Sequence, residues 1–337
     1  MEENVRDTVR VYQPKLHDPR IVTVGGGHGM SAMLRGLKYY SKNLTAIVAV
    51  SDDGGGSGVL REELGMLPPG DIRNCIMALA NTEPTMEKLL GYRFSDGMLA
   101  GQSFGNLFLA ALNGISGSFD EAVRRMCEVL AITGKVLPVT NENGHLEAEF
   151  VDGSTCLGES RIFYAKKEND SRIREVRLVP PNPPALQKSV EAILDADIIV
   201  LGPGSLYTSI IPNFLVNGIG DAIRHSGALC VLVLNLVTQD GETEGYTGAD
   251  HIRAVLQHGG HGIVDICLAN NAVIPEKWLA PYRAEGLEQI RIDREEIEQL
   301  GVAVREFPLY QPGRYIRHDP HALSKAILSV WKEYRSK

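Results

Sequence analysis

The hydrophobic pattern alternates short β-branched runs with longer amphipathic stretches from residue 21 onward. The first cycle consists of an apolar run at 21–24, a helical period at 30–40 and a second apolar run at 46–50. Short apolar runs that are bounded by glycine and separated by helical periods are typical of parallel strands covered on both faces. The pattern therefore predicts a doubly wound α/β fold with a mostly parallel, Rossmann-like sheet.

The same rhythm predicts further elements along the chain. We expect strands at 135–139, 198–201, 229–234 and 263–268, and helices at 119–130, 214–224 and 250–257. In the segment 319–337, Leu323, Ile327 and Trp331 recur at helical spacing. This spacing predicts a closing helix with one apolar face.

The alternation is interrupted over residues 141–184, where polar turns separate short segments of alternating hydrophobicity. This break predicts a small antiparallel insertion. It ends in the run Val-Pro-Pro-Asn-Pro-Pro at 179–184, which cannot be helical because proline restricts both itself and its predecessor. We therefore predict an N-terminal extension over 1–19 and a Rossmann-like nucleotide-binding domain over 20–337 that carries the insertion.

Charge and cysteine content narrow the class of protein. Lys plus Arg number 34 against 42 Asp plus Glu, and the formal net charge of -8 argues against nucleic acid as a partner. The five cysteines show no Cys-x-x-Cys spacing and are odd in number, which favours a reducing cytoplasm. No signal peptide and no apolar run of roughly 18 residues is present, so we expect no integral membrane contact. Because symmetric dimers are the commonest soluble oligomers, we expect a homodimer.

The first candidate site is the turn Gly-Gly-Gly-His-Gly at 25–29, which follows the first predicted strand and precedes a helix. Glycine permits positive φ and close approach of a ligand, and the helix N-terminus attracts an anion. The sequence therefore predicts phosphate binding by Gly25, Gly26, Gly27, His28 and Gly29. The alternative is a tight strand-to-helix turn without a ligand.

A second cluster, Asp-Asp-Gly-Gly-Gly-Ser-Gly at 52–58, follows the second predicted strand. In a doubly wound sheet it faces the same crevice, so Asp52 and Asp53 are candidates for Mg²⁺ binding, for catalysis or for contact with a ribose or sugar hydroxyl. Gly54 and Gly55 are predicted to lie near the ligand. The alternative is a solvated acidic turn.

A third cluster follows the strand at 198–201. Gly202, Gly204, Ser205 and Thr208 can present backbone N–H groups and hydroxyls to a phosphate in an anion-binding nest. Three such turns after three strands of one sheet edge predict an extended phosphorylated ligand, such as a pyrophosphate.

Three further polar positions are weaker candidates. Asp71 can act in the site or as a helix N-cap, and Asn106 can contact a base or cap its own helix. Asn235 opens a polar segment, 235–244, that follows a predicted strand and is expected to line the same crevice.

The run Gly-His-Gly-Met-Ser-Ala at 27–32 also matches the dinucleotide pattern Gly-x-Gly-x-x-Ala, with Asp52 at the position of a ribose-binding acid. An NAD-dependent oxidoreductase is therefore an alternative. An NAD-dependent oxidoreductase would not need the glycines that follow Asp53 or the phosphate-binding turn at 202–208.

Six ordered motifs give the chain a family resemblance. They are the glycine turns at 25–29, 51–58 and 201–212, together with Pro-Pro-Gly-Asp-Ile-Arg-Asn at 68–74, Gly-Gln-Ser-Phe-Gly-Asn at 101–106 and Gly-Glu-Thr-Glu-Gly-Tyr-Thr at 241–247. Over roughly residues 20–322 the sequence resembles the gluconeogenesis factors of the YvcK type, which belong with the 2-phospho-L-lactate transferases (CofD) of deazaflavin-coenzyme synthesis.

The resemblance implies a Rossmann-like fold, binding of UDP-sugars such as UDP-N-acetylglucosamine, and a role in carbon metabolism and cell shape. It implies Tyr282 and Arg317 as nucleotide-sugar contacts, where the guanidinium of Arg317 can hold phosphate with two hydrogen bonds; a surface ion pair with Asp319 is the alternative. His28 stands where many relatives have threonine. The transferase branch implies a second alternative, Mg²⁺-dependent transfer of a phospholactyl group from a nucleotide diphosphate donor.

Overall fold

The computed structural model describes residues 18–313 and 315–336, with the side chain of Asn169 left out. Most of the predicted N-terminal extension, 1–17, lies outside the described residues. Among the described helices, none combines the length and the apolar character needed to cross a bilayer.

A parallel sheet of seven strands forms the centre of the fold, in the order β10-β9-β8-β7-β1-β2-β3. Every adjacent pair in it is parallel, which confirms the predicted α/β class. The strands of the described chain are β1 Ile21–Gly25, β2 Leu44–Val48, β3 Lys135–Pro138, β4 His145–Phe150, β5 Thr155–Leu157, β6 Ile173–Val179, β7 Ile198–Leu201, β8 Leu229–Val233, β9 Ile266–Asn270, β10 Ala303–Phe307, β11 Tyr310–Gln311 and β12 Arg317–His318.

Helices cover both faces of this sheet and supply the apolar side chains that bury it. They are α1 Gly27–Leu37, α2 Gly55–Leu64, α3 Gly70–Leu79, α4 Pro84–Gly91, α5 Phe104–Gly114, α6 Phe119–Val129, α7 Glu159–Asn169, α8 Gln187–Leu194, α9 Ile219–His225, α10 Gly248–Gly259, α11 Glu276–Ala284, α12 Arg294–Gln299 and α13 Pro320–Arg335. Short 3₁₀ segments lie at Gly97–Leu99 and Ile211–Asn213, and a π-helical turn lies at Leu206–Ile210.

The insertion is confirmed as an antiparallel sheet of three strands in the order β5-β4-β6. The helix α7 inside it was not predicted. Only Gly158 separates this helix from the β5 strand, so no loop in the sequence marks where the helix begins. This helix brings Glu159 from the insertion to the central domain.

Several predicted boundaries were wrong by a few residues for a shared reason. The strand predicted at 46–50 is β2 at 44–48, and the one predicted at 263–268 is β9 at 266–270. Val50, Ile263 and Val264 are buried, yet they pack in loops at the strand ends rather than pair in the sheet. Burial alone produces an apolar run, so the run does not mark where pairing begins or ends.

Two other elements were also mispredicted. The helix expected at 214–224 is α9, which begins only at Ile219 because Gly218 adopts a left-handed φ of 94°. The edge strand β10 was missed, since its sequence Ala-Val-Arg-Glu-Phe is only half buried and carries two adjacent charged residues.

The closing helix α13 is confirmed, with Leu323, Ile327 and Trp331 buried. It packs against α1 so closely that Gly36 has no room for a side chain beside the Pro320 carbonyl and the Ser324 hydroxyl.

Strand order fixes where a ligand can bind. The chain proceeds from β1 outward through β2 and β3, and then returns through β7 to build the other half through β8, β9 and β10. The order therefore reverses between β1 and β7, and in open α/β sheets a crevice forms at that point beyond the carboxyl ends of the strands.

Candidate functional site

An open cleft of about 660 Å³ occupies this reversal point. Its size falls in the range of about 300–1,000 Å³ that is usual for small-molecule sites. The loops after β1, β2, β7 and β8 all contribute to its lining, together with the segment around β12. Its polar and charged lining side chains are His28, Asp52, Ser57, Asp71, Arg73, Asn74, Arg93, Asn106, Glu159, Ser205, Ser209, Asn235, Thr238, Gln239, Asp240, Tyr282, Arg317 and His318.

The first and third glycine turns are in direct contact across β1 and β7. A Cβ added to Gly29 would lie 2.6 Å from the carbonyl oxygen of Pro203 and 3.3 Å from the amide nitrogen of Gly204. Gly27 adopts a positive φ of 71° at the first position of α1. The absence of side chains thus lets two backbone segments that both line the cleft lie side by side, as the sequence predicted.

Asp71 lies in α3 and contacts the first glycine turn. Its carboxylate accepts a hydrogen bond from the backbone N–H of Gly27 at 2.7 Å. Burial and the nearby charge of Asp52 raise the pKa of Asp71 to about 6, against the stabilising effect of that N–H. The interpretation of Asp71 as an N-cap is wrong, since Pro69 holds that position and Asp71 lies in the first turn of the helix. One donor of the phosphate turn is therefore already paired with a carboxylate.

A chain of hydrogen bonds holds the third turn in place. Asn235 donates to the Gly204 carbonyl at 2.8 Å, and Gln239 donates to the Ser205 hydroxyl at 2.7 Å. The same Gln239 nitrogen lies 3.2 Å from a carboxylate oxygen of Glu242, which also accepts from the Thr208 hydroxyl at 2.8 Å. Thr208 therefore supports the turn from behind rather than lining the cleft.

Glu242 is the buried anchor of this chain. Its other oxygen accepts the backbone N–H of Tyr207 at 3.0 Å. Burial raises the pKa of Glu242 to about 7 despite these hydrogen bonds. The sequence motif at 241–247 was recognised. A single sequence does not show that Glu242 in this motif holds the third glycine turn, about 35 residues earlier in the chain.

The second turn places its two acids differently. Asp52 lines the cleft and accepts the backbone N–H of Gly54 at 2.9 Å. Asp53 turns toward the insertion, where it accepts the backbone N–H of Ser160 at 2.8 Å. The α7 helix has Gly158 at its N-cap and no side-chain cap of its own, so Asp53 supplies the acceptor from another part of the chain.

We expect Asp53→Ala to reduce the free energy of unfolding by about 0.5–2 kcal/mol, the usual cost of losing a capping acceptor. Asp53→Asn retains a side-chain oxygen and should lose less. Urea unfolding of both variants measures the effect. Ligand affinity unchanged in Asp53→Ala would support the capping role, whereas a large loss of affinity with unchanged stability would contradict it.

The predicted contacts Tyr282 and Arg317 also line the cleft, and Arg317 lies near enough to the first glycine turn to affect the charge of His28. The Tyr282 hydroxyl accepts the backbone N–H of Ile316 at 3.2 Å, which ties α11 to the segment before β12. Leu287 and Ile316 complete an apolar corner. Arg317 is exposed toward the cleft, and its guanidinium lies 5.3 Å from the ring centre of Tyr315.

Asp319 does not hold Arg317, which was the alternative drawn from the sequence. Its carboxylate accepts the backbone N–H groups of His321 and Ala322, both at 2.8 Å, and so caps α13. The guanidinium of Arg317 therefore remains available at the cleft wall.

Both histidines of the cleft favour the neutral form. Burial lowers the pKa of His28, and the guanidiniums of Arg317, Arg73 and Arg35 lower it further. Burial lowers the pKa of His318 to about 4, although the hydrogen bond between its Nε2 and the Leu234 carbonyl, at 3.1 Å, opposes the shift. His28 can therefore offer a neutral N–H donor at the first glycine turn.

Carboxyl groups from three elements share the floor of the cleft. Burial raises the pKa of Asp52, of Asp71 and, well above its ordinary value, of Glu159. The charge of Asp52 adds to the pKa shifts of Asp71 and Glu159, whereas the repulsion that acts on Asp52 comes from Asp53. Within the described ranges, no group of three or more His, Cys, Asp or Glu side chains is arranged to hold a metal ion.

The structure brings most of the predicted residues to the cleft. The lining includes Gly27, His28, Gly29, Asp52, Gly54, Gly55, Asn106, Gly204, Ser205, Asn235, Tyr282 and Arg317. Gly25, Gly26 and Gly202 lie behind it and allow close packing, with a Cβ on Gly26 falling 2.6 Å from the Asp71 carboxylate. Asn106 does not cap its helix, because Ser103 is the N-cap of α5.

Sequence reasoning missed Arg73, Arg93, Glu159 and His318 as lining residues, whereas Gln239 lies in the segment 235–244 that was expected to line the crevice. Arg73 stood inside the motif at 68–74, so its neighbours were a usable signal. No signal in the sequence marked Arg93 or Glu159. Arg93 reaches the cleft through the packing of a loop, and Glu159 reaches it through the packing of the insertion.

Comparisons with known proteins identify the family of this chain. A family model described as 2-phospho-L-lactate transferase CofD matches residues 21–310. A protein of Thermoanaerobacterium thermosulfurigenes named "Putative gluconeogenesis factor" is 52% identical over 316 residues, covering 94% of this chain and 98% of that protein. The "Gluconeogenesis factor" of Bacillus subtilis (strain 168) is 44% identical over 317 residues, covering 94% and 99%.

Solved structures agree as well. The crystal structure of protein BH3568 from Bacillus halodurans has 43% sequence identity and a TM-score of 0.89, and the match covers 93% of this chain and 100% of that one.

Proposed function

Because this chain belongs to the CofD family, we propose that it binds a nucleotide sugar of the UDP-N-acetylglucosamine type and regulates carbon metabolism and cell shape in the cytoplasm. The names of its relatives support the link to gluconeogenic growth. The homodimer and the division into an extension and one domain remain predictions.

One observation carries the proposal. Two glycine turns touch at the reversal point of the sheet, and Arg317 lies in the lining of the same cleft. Free backbone N–H groups at a helix N-terminus attract phosphate, and a guanidinium binds it with two parallel hydrogen bonds. These properties support a diphosphate position between the turns and Arg317.

The ends of the cleft suit the remaining parts of such a ligand. The apolar corner at Tyr282, Leu287 and Ile316 suits a base, since ligand sites combine apolar walls with a few polar groups. The hydroxyl-rich sugar falls toward Asp52 and Asp71, whose oxygens can accept from sugar hydroxyls.

A thermal-shift series with UDP-N-acetylglucosamine, GDP, NAD and Mg²⁺ tests the proposal, because a ligand that binds only the folded chain raises its stability. We expect the largest rise with UDP-N-acetylglucosamine. No response to any UDP-sugar would contradict the proposal, and a response to NAD alone would favour an oxidoreductase.

We expect Arg317→Ala to weaken UDP-N-acetylglucosamine binding by about 10–150-fold, the equivalent of the roughly 1.5–3 kcal/mol of a hydrogen bond to a charged group. Isothermal titration calorimetry measures the change. Arg305→Ala is the matched control, since Arg305 pairs with Glu333 away from the cleft. Equal affinity in wild type and Arg317→Ala would remove this residue from the site.

Mg²⁺-dependent transfer of a substituted phosphate is the second candidate. It is favoured by the position of Asp52, whose charge adds to burial in raising the pKa values of Asp71 and Glu159 and would be offset by a divalent cation. Of the predicted pair, Asp52 lines the cleft and Asp53 does not, so the residues present fit an ion held by Asp52 and Asp71 better than one held by that pair. A cation there would neutralise charge on a phosphoryl group. Loss of Mg²⁺ dependence in Asp52→Asn is expected, and unchanged dependence would count against this function.

A further inference from the structure

Arg93 is fixed beside the N-terminus of α5 by backbone pairing. Its backbone forms an antiparallel bridge with Ser103, the N-cap of that helix. On either side of the bridge, the Phe94 N–H donates to the Gln102 carbonyl at 2.9 Å, and the Phe104 N–H donates to the Tyr92 carbonyl at 2.8 Å. The position of Arg93 at this corner of the cleft therefore depends on the main chain.

Arg73 reaches the same corner from α3. Its guanidinium donates to the Ser103 hydroxyl at 3.2 Å and to the Asn74 side-chain oxygen at 2.8 Å, while Arg93 donates to the Gly101 carbonyl. Every acceptor found for these two guanidiniums within the described residues is neutral. Burial and the charge of Arg93 lower the pKa of Arg73, although Asp71 and Asp52 oppose the shift. Two positive charges thus face one corner of the cleft without a hydrogen-bonded counter-anion.

Carboxylates lie beside the glycine turns of the cleft. Gly26 lies against the carboxylate of Asp71, Gly70 lies against that of Asp52, and Gly56 lies against the side chain of Gln102. Asp71 accepts the Gly27 N–H and also interacts electrostatically with Arg73, as does Asp52. Acidic side chains therefore lie near both the first glycine turn and the arginine corner.

Asn106 adds an independent sign of a ligand at the arginine corner. Asn106 lines the cleft and is only 3% exposed, yet its side-chain amide oxygen, Oδ1, has no hydrogen-bond partner among the described residues. A buried acceptor without a partner costs about 1–3 kcal/mol unless a ligand or a water satisfies it.

We propose that Arg73 and Arg93, together with Asn106, form a second anion subsite that takes the phosphate or carboxylate group of a small metabolite. The subsite deepens the function proposed above and relies on it for the nucleotide at the other end of the cleft. The metabolite also carries a hydroxyl that donates to the Asn106 oxygen. The cleft then holds two anionic groups at once, one at the glycine turns and one at the arginine corner.

Phosphorus NMR on the full chain tests this subsite, with inorganic phosphate and UDP-N-acetylglucosamine as probes whose signals are resolved. We expect protein to broaden the inorganic phosphate line in wild type, and the broadening to persist when UDP-N-acetylglucosamine is saturating. Arg93→Gln should abolish that broadening and leave UDP-N-acetylglucosamine affinity within about twofold of wild type. Arg93 is exposed, so this variant should fold.

Arg317→Ala is the matched control in the nucleotide-sugar part of the cleft. It should weaken UDP-N-acetylglucosamine binding and leave the broadening of the inorganic phosphate line unchanged. Arg93→Lys keeps the charge without the planar fork and should retain part of the phosphate response. Three results would each overturn the subsite: no phosphate broadening in wild type, complete loss of that broadening at saturating UDP-N-acetylglucosamine, or full broadening in Arg93→Gln at saturating UDP-N-acetylglucosamine. Phosphate broadening that depends on Arg93, with no response to the nucleotide sugar, would support the subsite and contradict the proposed function.

Discussion

Gly29→Ala is expected to weaken binding of UDP-N-acetylglucosamine by at least about tenfold, or 1.4 kcal/mol. The added methyl group would lie 2.6 Å from the Pro203 carbonyl oxygen, so the first and third turns would have to separate. Overpacking of this kind also costs about 1–3 kcal/mol of stability. Calorimetric titration and urea unfolding measure the two effects separately.

Gly114→Ala is the control for this substitution. Gly114 is also a helical glycine, at the end of α5, and a Cβ there would meet no atom within 4 Å. This variant should bind normally and gain about 0.4–1 kcal/mol through reduced freedom of the unfolded chain. If Gly29→Ala binds as tightly as Gly114→Ala, close contact between the turns is not required for the ligand.

Asp71→Asn is expected to stabilise the ligand-free protein at pH 7 by about 3 kcal/mol. The folded pKa of about 6 exceeds the ordinary 3.8 by roughly 2 units, at 1.36 kcal/mol per unit. Between these values the folded state keeps a proton that the unfolded state has lost, so wild-type stability falls as pH rises from about 4 to about 6. The amide removes this cost and keeps an oxygen to accept the Gly27 N–H.

Urea unfolding of both proteins from pH 4 to pH 8 measures this difference. It should be small at pH 4 and reach its full size above pH 6. Asp120→Asn is the control of opposite sign: burial opposes the shift, but hydrogen bonds from Lys188, Ser118 and Asn141 lower the pKa of Asp120 to about 2. Its loss of stability should be constant over the same range. A difference for Asp71→Asn that does not vary with pH would contradict the assignment.

The central sheet could be predicted from sequence because its strands are buried on both faces. Such strands appear as uninterrupted apolar runs, as in β1, β7 and β8, and six of the seven were found. The seventh, β10, lies at the sheet edge and is half exposed, so its pattern resembles a charged loop. The hydrophobic pattern of a sequence shows which residues are buried. It does not locate a strand where buried residues are unpaired or where paired residues are exposed.

The glycine turns of the site were predictable for a similar physical reason. Glycine clusters at strand ends are unusual enough to indicate a special backbone arrangement, and the structure shows one use of it in the close contact between Gly29 and Pro203. The predicted approach of a phosphate stays a prediction. The side-chain directions were not predictable. Asp52 and Asp53 are neighbours in sequence, yet one faces the cleft and the other caps a helix of the insertion, which only the tertiary fold decides.

The packing of α13 against α1 affects how genetic experiments on this chain should be designed. An allele that stops after residue 313 would delete Arg317 and His318 from the cleft, and it would also remove the Pro320 and Ser324 surface that holds the helix carrying the first glycine turn. Its phenotype would resemble that of a full deletion. Point substitutions are therefore needed to assign separate roles to the last strand and to the nucleotide turns.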